Sequence, residues 1–106
     1  MAEIMKRNPI AYRRIAEAAR ANADGVVRQW LPNGKRLGHE WTALNPRRDD
    51  RHVGSFRVNL NSTRWCDFAT NDRGGDLISL GAYLFRLSQA EAALQLAQML
   101  GIEPNE

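Results

Sequence analysis

The sequence contains a single cysteine, Cys66, and only two histidines, His39 and His52, among 106 residues. One thiol excludes an internal disulfide. One Cys with two His falls short of the four nitrogen and sulfur ligands of a structural zinc site, so neither metal nor other cofactor is expected. Long apolar runs are missing too. None approaches the roughly 18 residues that crossing a bilayer requires, and no membrane span is expected. The first fourteen residues are polar and basic, without the apolar block and small-residue cleavage site of a secretory leader, which points to a cytoplasmic location. Walker and dinucleotide glycine fingerprints are absent, as are paired carboxylates and a cysteine–histidine couple that can be placed together, so no catalytic role is expected. Asp49, Asp50, Asp72 and Asp76 read as turn and cap residues rather than Mg²⁺ ligands. Cys66 reads as a small strand residue with no activating partner.

What is present is an ordinary globular composition, 43% apolar and 25% charged, sufficient for one domain with a modest core. The net charge of +3 is mild but unevenly spread. Residues 1–53 carry eleven Lys/Arg against six Asp/Glu, whereas residues 54–106 carry four against six. A basic half raises the expectation of a nucleic-acid partner, because neutralising phosphates releases condensed counterions. A merely solvated charged surface is the alternative reading.

Residues 1–8 form a tail, and residues 9–24 read as a helix with Tyr12, Ile15, Ala16, Ala19 and Ala23 on one side, ended by Asp24-Gly25. Residues 26–70 read as an antiparallel sheet. Within it, Val26–Leu31 and Arg36–Leu44 make a hairpin across Pro32-Asn33-Gly34-Lys35, where Asn-Gly is a strong turn signal. Asn45–Gly54 reads as an exposed basic loop. Ser55–Leu60 alternates with Phe56, Val58 and Leu60 inward, and Arg64–Phe68 returns as the second arm of another hairpin. The turn Asn71-Asp72-Arg73-Gly74-Gly75 leads to Asp76, a cap for an apolar helix bearing Leu77, Leu80, Leu84 and Leu87. Glycines there are expected to supply unusual backbone angles. With Arg73, the turn is either an anion seat at a helix N-terminus or a tight connection holding nothing. Ser88-Gln89-Ala90-Glu91 is a capping box opening a second helix, closed by Gly101. Residues 76–101 are thus a helical pair, and residues 102–106 a short acidic tail.

In this order the residues resemble the zinc-binding domain of bacterial and phage replicative primases, in a degenerate form without zinc ligands, as in plasmid and phage primase-helicase-like proteins. The resemblance runs through Asn45-Pro46-Arg47-Arg48, Ser55-Phe56-Arg57-Val58, Trp65–Thr70, Gly74-Gly75-Asp76, Ser88-Gln89-Ala90-Glu91-Ala92 and Leu100-Gly101-Ile102, over roughly residues 10–104. It puts Asn45 at a knuckle cysteine and Arg48 at a knuckle histidine. The fold it implies is α+β: a small zinc-ribbon-like antiparallel sheet of about four strands in two hairpins, packed with an N-terminal helix and two C-terminal helices. Hydrophobic packing is expected to do the work of the missing ion.

The function implied is a non-catalytic nucleic-acid-binding module, single-stranded DNA favoured, serving the primase or replication machinery of a phage, plasmid or other mobile element. Phosphate contacts are expected from Arg28, Lys35, Arg36, Arg47, Arg48, Arg51, Arg57, Arg64 and Arg73. Trp41 and Trp65 are the candidates for stacking on bases, burial in the sheet being the alternative. A different class of function, a protein–protein adaptor docking a polymerase, primase, helicase or host factor, is suggested by the acidic C-terminal region, which has no Lys/Arg after Arg86.

Overall fold

A computed structural model of the protein describes residues 8–48 and 53–106. Among the described residues four helices and one five-stranded antiparallel sheet make an α+β fold. Helix α1 (Tyr12–Ala21) buries Ile15 and Ala19, and helix α2 (Ala23–Trp30) buries Ala23, Val26 and Val27. Strands β1 (Lys35–Leu37), β2 (Glu40–Ala43), β3 (Phe56–Asn59), β4 (Trp65–Asp67) and β5 (Asp72–Gly74) lie side by side in chain order. Helices α3 (Leu77–Phe85) and α4 (Gln89–Leu100) follow. Among the described residues no helix is long and apolar enough to cross a membrane.

Four expectations are corrected. Val26–Leu31 is not a strand: residues 23–30 are helical, and the N-terminal helix is two helices meeting at Asn22. Ala23, Val26, Val27, Trp30 and Leu31 recur at helical spacing, and burying that stripe outweighs the strand preference of the Val-Val pair. Gly25 sits in the first turn of α2 with open space around it, rather than ending α1. The first hairpin therefore joins β1 to β2 across Gly38-His39, not across Asn33-Gly34, and Gly38 takes the left-handed conformation at φ 61°. The sheet gains its fifth strand from Asp72–Gly74, expected to be only a turn, which pairs along β4.

The C-terminal part follows its local chemistry. Asp76 and Ser79 form a reciprocal capping box on α3, and Ser88 and Glu91 form another on α4, each satisfying backbone N–H groups that a helix start leaves unpaired. Gly101 ends α4 at φ 69°. One core then runs from the inner sheet face, with Trp41, Val58, Phe56 and Trp65, to Ile15, Val27, Leu77, Leu80 and Leu96 of the helices. The tail at residues 102–106 is tied to the N-terminal segment: Ala11 N donates to Pro104 O at 2.8 Å, Glu106 N donates to Pro9 O at 2.9 Å, and Arg14 donates to the carbonyls of Glu103 and Asn105.

Candidate nucleic-acid interface

Strand register builds the outer face of the sheet. Lys35 pairs with Thr42, Thr42 with Arg57, Arg57 with Cys66 and Cys66 with Arg73, so one row crosses all five strands. Residues directly opposite on neighbouring strands point to the same side. The three cations of the row stand on alternate strands, about 10 Å from one to the next. Arg64 lies beside them, and a shallow groove of about 610 Å³ runs between Arg57, Arg64, Cys66, Phe68 and Arg73.

Phe68 is an exposed aromatic residue of this groove. The residue is 64% exposed, with the Arg57 guanidinium 5.5 Å from its ring centroid. Arg57 is further held by donation to Gly54 O at 2.8 Å and by Glu40 at 3.6 Å, and Arg73 donates to Asn71 Oδ1. The sequence reading does not place Phe68 among the nucleic-acid contacts. In the pattern Trp65 in, Cys66 out, Asp67 in, Phe68 out, the last two are the reverse of what polarity suggests, and that inversion is the signal that marks Phe68.

The two tryptophans expected to stack on bases are core residues. Trp41 is 4% and Trp65 5% exposed. The Trp41 indole donates to Leu31 O at 2.9 Å and that of Trp65 to Ser79 Oγ at 2.9 Å, so each buried N–H has a partner. Both belong to the core, although Trp65 also borders the groove.

The expected cations separate into groups. Lys35, Arg57, Arg64 and Arg73 belong to the outer face. Arg28 and Arg36 sit elsewhere, both on Asp24 (3.0 and 3.7 Å), with Arg28 over the Trp41 ring at 4.7 Å. Arg47 and Arg48 lie with Thr70, Asp72, Arg73 and Tyr83 around a second hollow of about 500 Å³. Arg73 lines both hollows. Arg51 lies outside the described residues.

At the second hollow, Arg47 covers the Tyr83 ring at 4.7 Å, whereas Arg48 turns inward. Arg48 Nε donates to Asp67 Oδ2 at 2.7 Å and its Nη2 to Ser55 Oγ at 2.6 Å. Asp67 is fully buried, and it also accepts from Asn45 Nδ2 at 2.8 Å and from Ala69 N at 2.9 Å. Burial pushes the Asp67 carboxyl up, but Arg48, Asn45 and the Ala69 amide more than reverse this and hold it at about 2. Asn45 Nδ2 also donates to Tyr83 Oη at 2.8 Å, and Tyr83 donates to Asp72 at 2.8 Å. Burial, followed by the nearby Asp72 carboxylate, raises the Tyr83 phenol above its ordinary range.

The glycine turn has a packing reason. Neither Gly74 nor Gly75 adopts a positive φ; the left-handed position of this segment is Asn71, at φ 68°. A Cβ on Gly74 would stand 2.7 Å from Trp65 Cε2 and collide with Ser79 Oγ, whereas Gly75 has open space.

No protein-family model and no curated protein matches the chain. Among solved structures, the fold is similar to that of the Aquifex aeolicus primase crystallised as its zinc-binding and RNA polymerase domains, with a TM-score of 0.71 and 26% identity over 86% of this chain. The fold is thus similar to that of a primase zinc-binding domain. The chain spans about a fifth of that crystallised chain, covering 22% of it.

Proposed function

We propose that the chain is a non-catalytic module of primase-type replication machinery that binds single-stranded nucleic acid, DNA in preference, across the outer face of its sheet. The observation that carries this reading is the row Lys35–Arg57–Arg73 with the exposed ring of Phe68 beside it. Cations at strand spacing track a phosphate backbone, and an accessible aromatic stacks on any base, which together favour an unpaired strand without sequence preference. Arg64 and Arg47 extend the cationic surface at either side. A phage, plasmid or other mobile-element setting follows from the resemblance of the motif series.

The test is fluorescence anisotropy with matched single-stranded DNA, duplex and RNA at several salt concentrations. Wild type is expected to bind single-stranded DNA most tightly. The Lys35→Glu, Arg57→Glu, Arg73→Glu triple variant is expected to lose at least 100-fold in affinity. Its plot of log affinity against log salt should flatten by about 2, at about 0.7 for each phosphate that is no longer neutralised. Phe68→Ala is expected to cost about 1–3 kcal/mol with the salt slope unchanged, because stacking releases no counterions. Absence of binding at low salt, or binding unaffected by the triple reversal, removes the proposal.

The adaptor reading has its own observation. On the helical side Trp30 and Phe85 meet edge to face at 5.7 Å and, with Met99, Gln29 and Gln95, flank a hollow between α2, α3 and α4; Phe85 is half exposed. Salt-insensitive co-purification of a replication protein, abolished in Phe85→Ser, would favour it over strand binding.

A further inference from the structure

We infer that the Asn45–Arg48–Asp67 cluster occupies the place and does the structural work of the metal ion that the zinc-binding-domain fold implies, so that this chain folds without metal. This does not rest on nucleic-acid binding. The donor set does not fit zinc. Among the described residues no three His, Cys, Asp or Glu side chains come together as ligands. The motif positions of the knuckle carry Asn45, whose amide nitrogen points at Asp67, and Arg48, whose permanent positive charge would repel a cation. Cys66 is on the opposite face of β4 from Asp67, in the row with Arg57 and Arg73, and so cannot join them.

The positions nonetheless close a ring of the kind an ion closes. Asn45 and Arg48 come from one turn, with Arg48 N donating to Asn45 O at 3.2 Å. Asp67 ends β4, and Thr70, three residues on, donates its N–H to Asp67 O at 3.2 Å and lines the hollow beside Arg48. The span from the 45–48 turn to the 67–70 turn is bridged by the bidentate contact of Arg48 with Asp67, at 2.7 and 3.3 Å, and by the Asn45 amide at 2.8 Å. A metal ion joins four side chains through one centre. Here a buried carboxylate is the centre, and a guanidinium and an amide converge on it. Hydrophobic packing alone, the sequence-based expectation, is therefore not the whole replacement. Every buried side-chain polar atom among the described residues is partnered, the condition under which such a cluster can hold a fold together.

Two measurements test this. Purified wild type is expected to carry less than stoichiometric zinc by elemental analysis and to show the same urea midpoint with and without EDTA. One tightly held zinc per chain, or a midpoint lowered by the chelator, overturns the inference. The second is a conversion: Asn45→Cys, Arg48→His, Asp67→Cys and Thr70→Cys together are expected to bind one Co²⁺ per chain with the absorption of a tetrahedral thiolate site, and to have a urea midpoint raised by zinc and lowered by EDTA. A converted chain that binds no Co²⁺, folded or not, contradicts the placement of the cluster at the ion's position. Arg48→Met, which needs no metal to be read, is expected to lower the urea midpoint with EDTA adding nothing; an unchanged midpoint counts against the cluster as a structural centre.

Discussion

Asp67→Asn is expected to lower the unfolding free energy at pH 7 by about 3 kcal/mol, toward the low end for breaking a buried ion pair, since Arg48 is 29% exposed and can turn to water. Arg48→Met is expected to cost more, about 3–5 kcal/mol, because it strands a carboxylate that is wholly buried. The pH dependence separates these variants from wild type. The Asp67 carboxyl sits at about 2 in the folded chain against an ordinary value of 3.8. A carboxyl depressed by folding stabilises fully above its unfolded value and loses that contribution as pH falls through its folded value. Wild type should therefore lose about 2 kcal/mol from this group between pH 5 and pH 2. Asp67→Asn should lack that loss. Glu91, lowered by the Ser88 backbone amide at the start of α4, supplies a smaller slope of the same sign in both proteins. Urea titrations at pH 7, 5, 3 and 2.5 make the comparison, and parallel pH curves for wild type and Asp67→Asn would contradict the assignment.

Gly74→Ala is expected to destabilise by about 3 kcal/mol, while its neighbour's substitution, Gly75→Ala, should be neutral or stabilising by up to about 1 kcal/mol. The two glycines share one turn and differ in what stands over them. At Gly74 the added methyl would collide with Ser79 Oγ and press on the Trp65 indole. Relief requires parting the Trp65–Ser79 hydrogen bond and disturbing the cap that Ser79 and Asp76 share at the start of α3. Overpacking at such a site typically costs about 1–3 kcal/mol, and the indole N–H left without its partner adds about 1 kcal/mol more. At Gly75 a methyl meets nothing, and the unfolded chain loses freedom. Thermal or urea midpoints of the pair decide it. Equal effects would mean that the turn is governed by backbone angles instead of close approach.

These residues also show where sequence reasoning reaches and where it stops. The capping boxes at Asp76 and Ser88, the end of α4 at Gly101 and the alternation of Phe56, Val58 and Leu60 are local chemistry, readable from a few neighbouring residues. Helix α2 is not, since Asp24-Gly25 looks like a helix end and Val26-Val27 like a strand; only the core that receives Val26, Val27 and Leu31 settles the period. The candidate site is legible in its cations and not in its aromatics. Lys35, Arg57, Arg64 and Arg73 follow from alternation once the strands are known. The chemistry of Trp41 and Trp65 as stacking residues suggests the surface, although the sheet needs their bulk inside. Asp67 lies inside for a partner 19 residues away, a long-range fact that no local window contains. Its burial is what sends Phe68 outward.

The pairing of residues 8–11 with 102–106, through Ile10 and Asn105 as bridge partners and through the side chain of Asn105 donating to Asn8 O at 2.9 Å, brings the two ends of the described chain to one spot. Backbone connectivity is then nearly circular. A linker of a few residues between positions 106 and 8, with a new opening cut at Asn61-Ser62 between β3 and β4, should yield a circular permutant with the same sheet, and cargo fused directly at position 8 or at position 106 would hang from the same corner of the molecule.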